Sequence, residues 1–317
     1  MIRTITLNTG FDETYTVSDL EYGGVRDVVD YRSEPSGKGI NAARVLRGLG
    51  VPVHVYGLIG ESDRALFSTR LAMDRIDCTL ASVPGNTRRN LTLTSVSQAA
   101  PAAHCRAAGF SLSDDEAVTQ LVDRLAAECR PGDLVSIHGS TPNGLPVDTW
   151  TRFARIAQEM QVPLVVDVYG APLLSVLAGG GVLCCKPNAA EMAVLPAVAG
   201  TPGEAGVMAA LRFMLRQGVA LPTVSLGGRG LWSVIEGRVW SALATIPYPK
   251  VLVGAGDTCV AGMMAQMMDA RSSPRDIIAR GVAVAGAHVA GYTGGQLSAR
   301  SQDMQRSIVF TDQGPLL

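Results

Sequence analysis

Aromatic side chains are scarce in this chain of 317 residues, at 5%, and charged residues make up only 17%. Neither sign of charge dominates: 27 Lys and Arg stand against 28 Asp and Glu, for a formal net charge of −1. A dedicated nucleic-acid binder carries a basic excess, so that class is disfavoured. Apolar residues at 47%, with so little net charge, exclude a disordered chain. No run of 18 apolar residues occurs, so no membrane span is expected. The start, Met-Ile-Arg-Thr-Ile-Thr-Leu-Asn, lacks the apolar core and small-residue cleavage site of a secretory signal. The six cysteines show no C-x-x-C spacing, and only four histidines accompany them. That pattern argues against a disulfide framework or a structural zinc site. It fits small buried thiols in a reduced, cytoplasmic protein.

Several catalytic signatures are also missing. Gly37-Lys38 is followed by Gly39 rather than Ser or Thr, so there is no P-loop. The dinucleotide fingerprint G-x-G-x-x-G, the nucleophile elbow G-x-S-x-G and the zincin motif H-E-x-x-H are absent as well.

What the chain does have is glycine, 35 of them, and a regular alternation of patterns. Strand periodicity is expected at 2–7, 51–55, 134–138, 163–168, 182–185 and 223–227. Helices are expected at 40–49, from a Ser113/Glu116 capping box onward, from Pro146 to about 160, from about Asn188, and at 203–217. A hairpin through Glu236-Gly237 follows, and two apolar helices, about 256–269 and 274–292, close the chain. Strands alternating with helices imply βαβ units and a parallel sheet covered on both faces. The polar stretches 11–35 and 87–108 break that alternation and read as a small β-rich lid beside the main sheet. No repeat, linker or low-complexity tract is visible.

Four segments carry candidate chemistry. In Val253-Gly254-Ala255-Gly256-Asp257-Thr258, small residues leave backbone N–H groups unshielded at the start of an apolar helix, where anions bind. An Asp there suits the removal of a proton from a bound hydroxyl. It also suits a plain N-cap, although a cap does not need the small residues flanking Ala255. In Ser36-Gly37-Lys38-Gly39-Ile40-Asn41, a glycine turn opens another helix, and Lys38 in its first turn opposes the helix dipole, which favours a ligand role. Lys186-Pro187-Asn188-Ala189-Ala190-Glu191 reads either as a capping box or as a ligand cluster at the carboxyl end of a strand. Ser225-Leu226-Gly227-Gly228-Arg229-Gly230 reads either as a turn or as part of the same ligand edge.

In this order the segments resemble the ribokinase-like carbohydrate kinases of PfkB type, over nearly the whole chain. Gly57-Leu58-Ile59-Gly60 adds to the likeness. Ile5-Thr6-Leu7-Asn8-x-x-x-Asp12, Gly85-Asn86-Thr87-Arg88-x-Asn90 and Gly139-Ser140-x-Pro142-x-Gly144 resemble the branch of 1-phosphofructokinases and tagatose-6-phosphate kinases. The resemblance implies one kinase domain, 1–317, with a three-layer α/β fold. Its central sheet would be mostly parallel, with helices on both faces and the β lid beside it. It implies ATP and Mg²⁺ as cofactors and transfer of phosphate to a ketohexose phosphate. Fructose 1-phosphate is the first choice and tagatose 6-phosphate the second. A kinase for a free sugar or nucleoside, or a silent sugar-phosphate sensor, is the alternative; loss of Asp257 would signal the sensor.

Carried over residue by residue, the resemblance makes Asp257 the base and the N–H groups of Gly254, Ala255, Gly256 and Asp257 the anion hole. Asp12, Gly37, Asn41 and Asn90 would line the sugar, and Lys38, Arg88 and Ser140 would grip its phosphate. Lys186, Asn188 and Glu191 would lie near the ATP phosphates, with Glu191 acting on Mg²⁺ through water. Ser225, Gly227 and Gly230 would border the nucleotide. No nucleic acid or membrane partner is implied. The exposed lid strands offer edges for pairing with a second copy. The chain departs from the pattern at Thr9-Gly10-Phe11, at Val168-Tyr169-Gly170, at Leu252 and in the Ala-rich 97–108 stretch.

Overall fold

A computed structural model describes residues 1–21, 23–97 and 103–316. Part of the atypical 97–108 stretch therefore lies outside the described residues. The chain opens with strands β1 (Ile2–Thr6), β2 (Gly10–Val17) and β3 (Val28–Ser36), then helix α1 (Lys38–Gly48) and strand β4 (Val53–Gly60). Next come α2 (Arg64–Met73), β5 (Asp77–Val83), β6 (Arg88–Ser95), β7 (Ala103–Cys105) and α3 (Glu116–Glu128). The middle holds β8 (Leu134–Gly139), α4 (Thr149–Glu159), β9 (Leu164–Val168), α5 (Ala171–Gly179), β10 (Cys184–Cys185), α6 (Gly203–Arg216) and β11 (Leu221–Ser225). The last part holds β12 (Leu231–Ile235), β13 (Arg238–Leu243), α7 (Ala255–Met267), α8 (Pro274–Val289), α9 (Gly294–Gln305) and β14 (Val309–Pro315).

Ten strands form one sheet in the order β14-β13-β12-β11-β10-β9-β8-β1-β4-β5. It is parallel from β11 to β5, and β12, β13 and β14 add antiparallel strands at one edge. The inner parallel strands β1, β8, β9 and β10 are buried on both faces, as helix-covered strands must be, while the edge strand β5 exposes Asp77 and Ser82. Alternate residues feed two cores. Val135, Leu164 and Val166 pack with Trp150, Phe153, Leu173 and Leu211 on one face. Leu134 and Val165 pack with Ile40, Leu46, Val260 and Ile278 on the other. Phe153 is wholly buried beside Trp150, so Phe153→Ala costs about 3–5 kcal/mol of stability, which thermal unfolding reads directly.

A second, four-stranded sheet has the order β3-β2-β6-β7, built from the two polar stretches. β2 and β3 run antiparallel, while β2 and β6 run parallel, with Asp12 opposite Asn90. Arg89 ties this sheet to the main one: its guanidinium meets Glu13 at 2.9 Å and Asp63 at 2.7 Å and lies over the Phe11 ring.

Several sequence expectations need correction. The Ser113/Glu116 capping box does not form, because Asp114 takes both the Ser113 hydroxyl and the Glu116 N–H. The helix expected from Pro146 begins at Thr149. The helix expected from Asn188 is two short 3₁₀ turns, Glu191–Val194 and Pro196–Val198. Pro196 supplies no N–H and holds Leu195 extended, so no helix can run through it. The chain does not close on two helices, since α9 and β14 follow them. α9 buries only Leu297 and Ser301, too few apolar contacts to show as a pattern. Helices α2 and α5 and strand β5 were not foreseen. Among the described residues no helix is long and apolar enough to cross a membrane.

Candidate active site

The carboxyl ends of β1, β8, β9, β10 and β11 face the first turns of α1 and α7. Gly39 explains how α1 comes so close. A Cβ there would sit 2.4 Å from Thr6 Oγ1, and the Gly39 N–H instead donates to that oxygen at 3.0 Å. Two positions later, Asn41 Nδ2 donates to Asp257 Oδ2 at 2.8 Å.

Asp257 sits in the first turn of α7 and is not its cap. Gly254 takes the N-cap position in the left-handed region, φ 81°, and no side chain caps the helix. Among the described residues no acceptor takes the N–H of Gly254, Gly256 or Asp257, whereas that of Ala255, also expected in the anion hole, turns back to the Leu252 carbonyl at 3.4 Å because the 252–255 backbone closes a turn there. These are the free donors that make a helix start attractive to anions. Burial, together with the charge of Asp167, pushes the Asp257 carboxyl up to about 7. The Asn41 hydrogen bond and the ammonium groups of Lys38 and Lys186 pull the other way.

Asp167 ends the apolar run of β9 and is buried. Its Oδ1 lies 3.5 Å from Lys38 Nζ and 3.6 Å from Lys186 Nζ. Burial opposes its charge, but the two ammonium groups prevail and hold the carboxyl well below the usual range. Lys186 is also buried and is held protonated against that burial, chiefly by Asp167. It reaches the Ser225 hydroxyl at 3.4 Å, and a Cβ on Gly256 would lie 3.8 Å from its Nζ, so its charge sits beside the anion hole. Lys38 reaches Glu191 Oε1 at 2.8 Å and lies over the Tyr169 ring. Lys38, expected on the substrate phosphate, thus pairs with the carboxylates of Glu191 and Asp167.

On the second sheet Asp12 accepts from Ser36 at one oxygen and from Asn90 Nδ2 at the other, both at 2.7 Å. Arg88 donates to the carbonyls of Thr9 at 3.2 Å and Asn8 at 3.0 Å. Asn8 Nδ2 donates in turn to Ser140 Oγ at 2.8 Å, so Arg88 and Ser140 meet on Asn8. Gly37 caps α1 in backbone that a side chain would strain, φ 138°.

The 188–191 segment forms the reciprocal box. Asn188 Oδ1 accepts from the Glu191 N–H, and Glu191 Oε2 accepts from the Asn188 N–H, both at 2.9 Å. Both Glu191 oxygens are therefore engaged. Gly227 and Gly230 have φ 60° and 82°, and a Cβ on Gly230 would meet the Ala242 carbonyl at 2.2 Å. The turn reading thus accounts for Gly230 fully. A cleft of about 470 Å³ lies next to this segment, between Ala189, Met192, Gly203, Leu226 and Arg229, and holds none of the charged groups above.

Sequence reasoning missed Asp167, His138, Asn8 and Arg106. A charge ending a buried apolar strand was the available signal for the first two. His138 is buried without exposure, 2.9 Å from Ser136 Oγ through Nε2 and 3.8 Å from Asp167 Oδ2 through Nδ1. Arg106 is exposed just after β7, and its charge adds slightly to the burial that disfavours the Arg88 guanidinium.

Residues 6–301 match the family model described as pfkB family carbohydrate kinase. A 1-phosphofructokinase of Xanthomonas campestris pv. campestris is 31% identical over 271 residues, covering 84% of each chain. That of Bacillus subtilis is 29% identical over 267 residues, covering 84% of this chain and 85% of its own. Phosphofructokinase-2 from Escherichia coli in complex with fructose-6-phosphate superposes with a TM-score of 0.85 at 24% identity, covering 96% of this chain and 98% of its own.

Proposed function

The chain belongs to the pfkB family of carbohydrate kinases, and from that premise we propose that it phosphorylates a ketohexose phosphate, fructose 1-phosphate first among them, at the expense of ATP. One observation carries the reading beyond the family: a buried carboxyl, poised near neutrality, sits beside free N–H donors and a buried lysine. In the reaction, Asp257 takes the hydroxyl proton as the hydroxyl oxygen bonds to the γ-phosphorus. The bond from that phosphorus to the bridging oxygen breaks, and ADP leaves with the electron pair. The N–H groups of Gly254, Gly256 and Asp257 and the Lys186 ammonium would face the charge on the transferred group.

Asp12, Asn90, Asn41 and Gly37 would hold the sugar, and Arg88, Arg106 and Ser140 the phosphate it already bears. Arg suits that task because its planar fork matches phosphate oxygens. Lys38 would screen the ATP phosphates from Glu191 and Asp167. Asn188, Ser225 and Gly227 would border the nucleotide.

No cluster of three metal-binding side chains occurs among the described residues, which fits Mg²⁺ held mainly by phosphates and water. Glu191, with both oxygens engaged, would act on it through water, and Asp167 Oδ2, buried without a partner, is the other available oxygen. Bound there, Mg²⁺ would neutralise charge on the β- and γ-phosphate oxygens.

The second sheet would close as a lid and exclude water. Val28, Val29 and Tyr31 on its β3 edge are exposed, which supports a homodimer formed through that sheet. The six cysteines are free, in keeping with a cytoplasmic enzyme.

A coupled ADP-release assay over fructose 1-phosphate, tagatose 6-phosphate, fructose 6-phosphate and the free sugars tests the reading. The highest kcat/KM is expected on fructose 1-phosphate. Faster turnover of any free sugar would overturn the assignment to a phosphorylated acceptor.

A further inference from the structure

The strap leading into the anion hole is held in an unusual way. Every side chain from Pro247 to Val253 is exposed, so packing does not fix this backbone. Hydrogen bonds from the end of α8 do. The N–H groups of Lys250 and Val251 donate to the Val289 carbonyl at 2.7 and 3.2 Å. His288 Nε2 lies 2.8 Å from the Val253 carbonyl oxygen. A carbonyl can only accept, so Nε2 carries the proton and donates it.

That bond bears on the hole through peptide geometry. The Val253 carbonyl and the Gly254 N–H belong to one planar trans unit and point in opposite directions. Whatever fixes the carbonyl also aims the N–H. Gly254 is otherwise the loosest point of the turn: it has no side chain and a left-handed φ of 81°. A rotated 253–254 peptide would turn its carbonyl dipole, rather than its N–H, toward the transferred phosphoryl group.

We propose that His288 is a positioning residue for phosphoryl transfer: by holding the Val253 carbonyl it aims the Gly254 N–H into the anion hole. Both the neutral Nε2–H tautomer and the imidazolium can make this bond, so the device is not a pH switch.

The proposal rests on the N–H groups of Gly254, Gly256 and Asp257 forming the hole. His288→Ala is expected to lower kcat about tenfold, less than deletion of a hole donor outright. The KM values for ATP and the best sugar phosphate should stay within twofold. His288→Gln, whose amide N–H reaches about as far as Nε2, should restore kcat to within threefold of the parent. Complexes with ADP and aluminium fluoride, which mimic the transferring group, should weaken about tenfold in His288→Ala, while binding of ADP with sugar phosphate alone stays unchanged. A kcat loss below threefold in His288→Ala, or an equal loss in both variants, would overturn the proposal. Failure of the hole itself reads differently: Gly254→Ala would then bind the aluminium fluoride complex as the parent does. Thermal unfolding of each variant separates these outcomes from loss of the fold.

Discussion

Asn41 and Asp257, 216 positions apart in sequence, share a hydrogen bond of 2.8 Å between the first turns of two helices. The amide favours the charged carboxylate, while burial and Asp167 favour the neutral acid. The carboxyl is thereby left titrating near the pH at which a base must work.

Replacing Asp257 by Asn keeps shape and polarity but removes the base. We expect kcat to fall about 10²–10⁴-fold with sugar-phosphate binding largely kept. ADP release and calorimetric titration check the two halves separately. Unchanged turnover would mean that Asp257 serves only the helix.

The same carboxyl sets the pH dependence. With its value near 7, activity should fall as pH drops below about 7 and the base takes up a proton. Asn41→Ala removes a donor that favours the charged form, so the carboxyl rises further and the acid limb of kcat moves to higher pH. A limb that stays in place or moves to lower pH contradicts the assignment.

Stability should respond in the opposite sense to activity. The folded carboxyl lies near 7 and an unfolded Asp near 3.9, so between those values the folded state binds more protons. Stability contributed by this group therefore falls as pH rises from about 4 to 7, and the full cost is present above 7. Asp257→Asn should raise the Tm by a few degrees at pH 8, and the gain should vanish near pH 4. A Tm gain of the same size at both pH values would show that titration is not its source.

Arg88 donates to the carbonyls of Asn8 and Thr9, and burial disfavours its charge. A guanidinium disfavoured by burial gains from an anion beside it. Arg88→Ala should raise KM for the sugar phosphate at least tenfold and leave KM for ATP within twofold. An effect confined to ATP would mean that the two ends of the site are reversed.

The fold class was legible because its evidence is local: buried β runs, helix periodicity and glycine turns. α9 was not, since it buries one leucine and one serine and its other positions, Met304 apart, are polar or small. The site divided along the same line. The helix start at 254–257 could be read directly, because small residues leave N–H groups unshielded, but whether Asp257 caps that helix could not. The pairing of Lys38 with Glu191 and Asp167 was not legible, because both partners lie more than a hundred residues away in the chain. Asp167 could have been suspected as a charge in the Leu164–Val168 strand, but its two lysine partners exist only in the folded chain.

Asp12, Asn90 and Arg88 belong to the small sheet, whereas Asp167 lies in the large one, with Lys186 just past its strand β10 and Asp257 on helix α7. On the roles proposed above, bond-making lies on the large side alone, while acceptor choice is shared between the small sheet and Gly37, Asn41 and Ser140 across the seam. Such a molecule can change its diet without relearning its chemistry. Substitutions confined to β2, β3 and β6 would redirect it to another sugar while the machinery that moves the phosphoryl group stays as it is.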